Sequence, residues 1–133
     1  MSGPLIFISR SRVKPGKGEK YQEHVMEATA LVETEEPQVI AFNNYRSEDG
    51  TEVSCVQVHA DADSLDRHVK LFRERLSERA FESVDSYEVD IYGRPSDSAL
   101  EFLSQFEQLR VRVLPMRDAG LLRPQQARSP DPS

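Results

Sequence analysis

Three histidines are the side chains of this chain best suited to proton transfer. His68 stands three residues after Leu65 and one before Val69, which places it on the apolar face of a predicted helix. A neutral imidazole there titrates near neutral pH and can accept or donate a proton. We therefore predict that His68 is catalytic; the alternative is a structural histidine bonded to a backbone carbonyl. His24 and His59 are predicted to be solvated.

Polar side chains in predicted strands supply candidate contacts to a substrate. Asn43 and Asn44 are consecutive, although asparagine is uncommon in strands. One of them must point toward the helices, where an amide would hold a carbonyl or an oxyanion, but the register leaves open which one. The alternative is a strand that ends or bulges here. Tyr92 and Tyr87 are predicted on opposite faces of the fourth strand, and Tyr92 joins the two asparagines as a predicted substrate contact. Cys55, central in the third strand, is predicted to be buried and inert.

Motifs that mark metal and phosphate sites are absent from the sequence. It contains no G-x-G-x-x-G, C-x-x-C or H-x-x-x-H pattern and no G-x-S-x-G elbow. We therefore predict no metal site, and no cofactor is called for by any motif.

Length and charge exclude several classes of partner. The chain has 133 residues, the length of one domain, with 17 basic and 23 acidic residues and a net charge of −6. Such a balance offers no electrostatic footprint for nucleic acid or an anionic membrane. No apolar run reaches the roughly 18 residues of a membrane span, and no signal-peptide pattern is seen. With its single cysteine, the chain is expected to be cytoplasmic.

Hydrophobic periodicity predicts a βαββαβ order, the ferredoxin-like α+β arrangement of a four-stranded antiparallel sheet with both helices on one face. The predicted strands are 5–13, 38–46, 51–59 and 86–92, and the predicted helices are 18–35 and 64–79. Residues 1–93 form this unit. Residues 94–123 are an extension of the same domain, with a helix at 97–108 and a fifth strand at 109–114. Residues 124–133 are rich in Pro and Ser and are predicted to be a disordered tail.

Helices on one side leave the other face of the sheet in need of a cover. That face carries Leu5, Phe7, Val53 and Cys55, or else their register-shifted neighbours. A group of exposed apolar side chains on one sheet face is typical of an interface. A second copy of the chain is the simplest cover and predicts a homodimer. The alternative is that the residues after 93 fold back over this face.

Three segments give the stretch from Ser9 to Tyr92 a family resemblance. They are VKPGK at 13–17, NYRSEDGTE at 44–52 and ADSLDRHV at 62–69. This stretch resembles the antibiotic biosynthesis monooxygenase-type domains of the dimeric α/β-barrel superfamily. The resemblance implies a ferredoxin-like unit that dimerises through its sheets. Many such domains are cofactor-independent oxygenases of quinols, anthrones and related polyketide aromatics, and others degrade haem.

The resemblance implies a mechanism that needs little from the protein. The substrate would lie between the sheet and the helices, its phenol would lose a proton, and the anion would pass an electron directly to molecular oxygen. A base or hydrogen-bond network in a dry apolar cavity is enough for this, and His68, an inward Asn and Tyr92 are the residues expected to form it. The chain lacks tryptophan and has Ser9 or Ser11 where haem-degrading members have asparagine, so haem oxygenation is not expected.

Two other functions remain open at this stage. One is a non-catalytic dimeric module that binds a small ligand or a protein. The other is a non-oxidative isomerase or decarboxylase of the same superfamily, with the same histidine as its acid–base group. Oxygen consumption separates the oxygenase from the isomerase, and a space filled by side chains would favour the module.

Overall fold

The computed structural model describes residues 3–123. Its strands are β1 (Leu5–Val13), β2 (Val39–Arg46), β3 (Glu52–His59), β4 (Val84–Tyr92) and β5 (Arg110–Leu114). Its helices are α1 (Gly18–Glu35), α2 (Ala62–Leu71), α3 (Ser77–Ser83) and α4 (Asp97–Ser104). The predicted tail at 124–133 lies outside the described residues.

The five strands form one sheet in the order β2-β3-β1-β4-β5. Each neighbouring pair among the first four strands is antiparallel, whereas β5 joins the edge of the sheet parallel to β4. A parallel neighbour needs a crossover connection, and α4 supplies it. The first six elements with their helices on one face confirm the predicted ferredoxin-like α+β fold, and the predicted fifth strand is confirmed as well.

Side chains of β1 show which face of the sheet is covered. Leu5 is fully buried in the main core cluster with Leu65 of α2 and Leu103 of α4, so alternate residues from Leu5 onward point at the helices. We call this the inner face. The outer face carries Ile6 and its alternate neighbours. The sequence left open which set of residues lies on the face without helices. Leu5, Phe7, Val53 and Cys55 lie on the inner face, so their register-shifted neighbours lie on the outer one.

The second predicted helix is interrupted and longer than its periodicity indicated. α2 ends at Leu71, a π-helical turn spans Phe72–Leu76, and α3 continues to Ser83. The turn closes with the Ser77 amide donating to the Phe72 carbonyl, one residue wider than an α-helical bond. Such single turns inside helices often occur at functional sites.

The extension lies on the inner side of the sheet and lengthens its edge. Ala99 and Leu103 of α4 are buried against the main core, and the Gly93 amide donates to the Leu114 carbonyl at 2.9 Å. Gly93 has a φ of +112°, and a Cβ there would lie 2.7 Å from Leu5 Cδ2. Only glycine fits this join without strain. The alternative that residues after 93 fold over the outer face is therefore wrong for the described part of the extension.

Candidate functional site

A cavity lies between the inner face of the sheet and the helices. Its volume is about 160 Å³, counted as the space open to the centre of a water molecule, many times the roughly 10–15 Å³ that one water needs. Apolar side chains from both layers form most of its wall, among them Phe7, Phe42, Val69, Phe72 and Phe81. The space between sheet and helices is thus open, whereas a non-catalytic packed core would fill it.

His68 lies in the wall of this cavity. It belongs to α2, whose start is fixed by Asp61, because the Asp61 carboxylate accepts from the Ser64 amide at 2.9 Å. The imidazole is buried, lines the cavity and sits 5.5 Å from the Phe42 ring, centroid to centroid. The predicted position of His68 on the apolar face of the helix is confirmed.

Glu36 holds the His68 ring from behind. The Nδ1 atom of His68 donates to Oε2 of Glu36 at 2.9 Å, and both side chains are less than one-tenth exposed. With Nδ1 donating to the carboxylate, the neutral ring presents Nε2 as an acceptor. This nitrogen forms no hydrogen bond with any described residue, and the ring borders the cavity. The pair is therefore arranged as a general base with an orienting carboxylate.

Glu36 was not recognisable as a functional residue from the sequence. In the sequence it is one of several acidic residues near the C-terminal end of α1, and glutamate is mostly an exposed residue. Instead, its backbone amide donates to the Val32 carbonyl, and its side chain turns inward beside the sheet. The second carboxylate oxygen, Oε1, is buried and has no partner among the described residues. No local spacing relates Glu36 to His68, because 32 residues separate them.

His59 contradicts its prediction as a solvated histidine. It is 0% exposed, because α2 folds back over the end of β3. Its Nε2 donates to Oε1 of Gln57 and its Nδ1 accepts from the Ser64 hydroxyl, both at 2.8 Å. Burial and the nearby charge of His68 lower the pKa of His59 to about 4. His59 is thus a neutral, fully bonded residue that holds Gln57 in the cavity wall.

The two asparagines fall on opposite faces of β2. Asn44 pairs with Cys55 of β3 and lines the cavity, whereas Asn43 pairs with Val56 and is exposed on the outer face. Asn44 is therefore the inward amide that the register had left open. The predicted substrate contact at Asn43 is wrong, because one residue along a strand changes the face.

Tyr92 is also outside the site. It pairs with Ile6 of β1 and so lies on the outer face. Tyr87 lies there too: its hydroxyl donates to Glu52 at 2.9 Å, and the Arg12 guanidinium stacks 4.2 Å from its ring centroid. A bulge in β4 opposite Arg10 and Ser11 breaks the alternation. The predictions that the two tyrosines lie on opposite faces and that Tyr92 contacts substrate are both wrong.

Two further side chains of α1 line the cavity. His24 is half-buried, and desolvation lowers the pKa of its imidazole. The prediction that His24 is solvated is therefore wrong. Tyr21 is buried, and desolvation raises the pKa of its phenol.

Cys55 of β3 borders the same cavity, and burial raises the pKa of its thiol to about 11. Its thiol is protonated at neutral pH, in line with the prediction that Cys55 is inert.

Four phenylalanines close the other side of the cavity. Phe72 of the π-helical turn, Phe81 of α3, Phe102 of α4 and Phe106 contact one another in a closed ring with centroid distances of 5.3–6.4 Å. Tilted and edge-to-face pairs of this kind are favourable beyond the area they bury. We call them the phenylalanine ring. Two of its members come from the extension, which therefore forms part of the site.

Solved structures share this fold. MupZ from Pseudomonas fluorescens matches with a TM-score of 0.64 and 15% identity over 92% of this chain and 91% of its own. SnoaB, a cofactor-independent oxygenase from Streptomyces nogalater, matches with a TM-score of 0.60 and 14% identity over 71% of this chain and 96% of its own. A Caulobacter crescentus protein assigned provisionally to the antibiotic biosynthesis monooxygenases gives a TM-score of 0.61 and 16% identity over 68% and 88%.

The chain has the fold of the antibiotic biosynthesis monooxygenase-type structures. The suspected resemblance is thereby confirmed for the architecture. No protein-family model and no curated protein sequence matches the chain. The MupZ match spans more residues than 1–93 contain, so part of the extension has a counterpart there.

The described residues, 3–123, lack two further features. None of their helices combines the length and the apolar character that crossing a membrane requires. No three histidine, cysteine or carboxylate side chains converge there as metal ligands would.

Proposed function

We propose that the protein is a cofactor-independent monooxygenase of a small aromatic quinol or polyketide-like molecule. The observation that carries the proposal is the buried pair of Glu36 and His68, whose free Nε2 borders an apolar cavity. The fold shared with a cofactor-independent oxygenase supports it by analogy.

His68 Nε2 takes the acidic proton of the substrate, from a phenol or from the methylene of an anthrone. The imidazolium that forms lies 2.9 Å from Glu36, which balances its charge. His59 stays neutral because its pKa of about 4 keeps it from competing for this proton. The proton is thereby held at one defined atom while the substrate is an anion.

Molecular oxygen is the oxidant in the next step. The carbanion passes one electron to oxygen, the two radicals combine into a carbon–oxygen bond, and the peroxide takes the proton back from His68. Loss of water then leaves a carbonyl. The balance for an anthrone is R₂CH₂ plus O₂ giving R₂C=O plus H₂O, so no external reductant is needed.

Neutral amides of the wall orient the substrate oxygens. Asn44 lines the cavity without a bond to another described residue. Gln57 is held by His59 through its carbonyl oxygen, and its amide donates one hydrogen to Cys55 Sγ at 3.4 Å, which leaves the second hydrogen for a ligand. Donors fixed in a water-poor space stabilise a developing oxyanion more than the same donors in water. The apolar wall also keeps the substrate anion from being quenched by water.

A non-oxidative isomerase is the second candidate function. The Glu36–His68 pair is itself the observation that favours it, since proton abstraction and return need no oxygen. A purely ligand-binding module has less support, because burying a carboxylate–imidazole pair carries a desolvation cost that packing alone does not require.

Oxygen uptake with a panel of anthrones and naphthoquinols tests the proposal. We expect the wild-type protein to exceed the spontaneous rate, and His68→Gln to lose about 100-fold or more, the range of general-base catalysis. Asn44→Ala is expected to lose about 100-fold through one oxyanion donor, whereas Asn43→Ala on the outer face retains the rate.

Two results would contradict the oxygenase. Equal uptake by the wild type and His68→Gln would remove the base from the mechanism. No uptake with any substrate, together with isomerisation of an enolisable ketone that needs His68, would assign the site to the non-oxidative alternative.

A further inference from the structure

The wall of the cavity is neutral throughout the part of the chain that the structure describes. Its 27 lining residues include no Lys, Arg, Asp or Glu. The polar members are amides, hydroxyls, a thiol and imidazoles, and burial lowers the pKa of the His24 imidazole, which favours its neutral form. Nothing in the wall offers a permanent positive charge to an anionic ligand.

The basic side chains around the cavity have other partners. Arg79 pairs with Glu27, and Arg46 donates to Gln22 at 2.7 Å. Lys14 donates to the Phe81 carbonyl at 2.6 Å. None of these three basic residues lines the cavity, so a carboxylate or phosphate inside it would have to give up water without gaining a cation.

Glu36 makes the cavity worse still for an anion. Its carboxylate lies one imidazole away from the space, and its Oε1 has no partner to spread its charge. A second carboxylate near His68 would place two like charges in a low-dielectric region, where their repulsion is far stronger than in water. Buried like charges of this kind are seldom both ionised.

Neutral donors and acceptors, in contrast, are spread along the sheet. Gln57 lies opposite Phe7, Cys55 opposite Ser9 and Val53 opposite Ser11, on successive inner-facing positions. Gln57, Ser9 and Ser11 thus extend over about 13 Å at the usual rise per strand residue. Ser11 shares one hydrogen with Ser86 at 2.7 Å, which leaves the other hydroxyl hydrogen of the pair for a ligand.

We infer that the cavity takes an uncharged, elongated molecule with hydroxyl or carbonyl oxygens along its length, and rejects the same skeleton when it bears a carboxylate. The phenylalanine ring covers one side of such a molecule and the polar row of the sheet meets its oxygens. The inference deepens the proposed function, since it concerns the ligand of the same site, but it does not depend on oxygen chemistry.

Binding of stable anthraquinones tests the inference without turnover. The probes are a dihydroxyanthraquinone with a hydroxymethyl substituent and the same compound with a carboxylate in that place. Dissociation constants for the full chain are measured by calorimetry. We expect the hydroxymethyl compound to bind at least about tenfold more tightly, and Glu36→Gln to reduce this ratio severalfold by weakening the rejection of the carboxylate.

Glu35→Gln is the matched control. It changes the net charge by the same amount one residue away, but Glu35 is exposed and bonded to Arg75 on the surface. The ratio should stay at its wild-type value in this variant. An equal drop in Glu35→Gln and Glu36→Gln would assign the rejection to the overall charge and overturn the inference.

Two other results would also overturn it. Tight binding of the carboxylate compound by the wild type would mean that the cavity accepts anions. No binding of either compound would mean that the cavity does not take elongated aromatics. Oxygen uptake that depends on His68 could stand in either case, so the two proposals fail separately.

Discussion

His59 and His68 lie with their ring centroids 5.8 Å apart, yet their hydrogen bonds give them different roles. Both nitrogens of His59 are bonded within the core, whereas only Nδ1 of His68 is. A proton that arrives from the cavity is therefore stabilised on His68, beside Glu36, and excluded from His59. In the proposed mechanism His68 alone acts as the base, because His59 is kept neutral.

The lowered pKa of His59 predicts a loss of stability in mild acid. Its ordinary pKa is 6.5 and its value in the folded protein is about 4, so folding favours the neutral ring. The stabilisation that comes from this difference in pKa is fully present above pH 6.5 and is lost as the pH falls toward 4. It amounts to at most about 3 kcal/mol in the free energy of unfolding. Urea unfolding at a series of pH values measures it.

Substitutions at His59 and His24 separate the contributions of these two histidines to the pH dependence of stability. His59→Gln should flatten the fall in the free energy of unfolding between pH 6.5 and 4, although it lowers stability at pH 7. His24→Gln should flatten it less, since the pKa of His24 is lowered too but the ring is only half-buried. A steep fall that persists in His59→Gln would contradict the assignment.

Residue spacing identified His68 but not its partners. Helical periodicity places His68 on the apolar face whatever the tertiary structure, so that prediction needed only local information. Glu36 comes from another element, and Tyr87 was moved to the outer face by a bulge that leaves no mark in the alternation of residues. His59 is covered by a helix that starts after it. Contacts between elements, and the register between strands, could not be read from the pattern.

At the scale of elements, the extension and the π-helical turn shape the cavity together. The helix and strand of the extension were predicted close to their positions, but periodicity could not say on which side of the sheet they would pack. Phe102 and Phe106 from the extension meet Phe72 and Phe81 from the other segment, and all four line the cavity. A domain cut at residue 93 would lose half of this ring.

Phe106→Ala tests the structural weight of the extension. Its ring contacts both Phe81 and Phe102, so its removal should lower the free energy of unfolding by about 1–3 kcal/mol, less than a fully buried Phe because it is half-exposed. Leu121→Ala, at a site 72% exposed, should change it by less than about 0.5 kcal/mol. Equal effects of the two would mean that the extension is not packed on the domain.

At the scale of the whole molecule, the outer face of the sheet still needs a cover. It presents Ile6 at 38% and Leu114 at 41% exposure. Asp90 lies on the same face, paired with Ile8 and Arg112 in the sheet, and is 1% exposed because Arg10 donates to it at 2.8 Å and Arg112 at 3.1 Å. The bond from Arg10 lowers the pKa of the Asp90 carboxyl. Exposed apolar side chains that share one sheet face are typical of an interaction surface.

We expect a second copy of the chain on this face. Analytical ultracentrifugation at micromolar concentration should show twice the mass of one chain, and Ile6→Lys on the outer face should shift it toward one chain. Met26→Lys, at a more exposed site of α1, should leave the mass unchanged. A single-chain mass for the wild type at every concentration would rule out the homodimer.

In the proposed function, the Glu36–His68 pair removes a proton from a molecule in the cavity. Deuterium exchange at the methylene of an anthrone in heavy water without oxygen, followed by NMR, tests it most directly. We expect exchange faster than in buffer, about 100-fold slower in His68→Gln and about tenfold slower in Glu36→Gln, since the latter keeps the base but loses its orienting charge. Exchange no faster than in buffer, or equal in the wild type and His68→Gln, would contradict it.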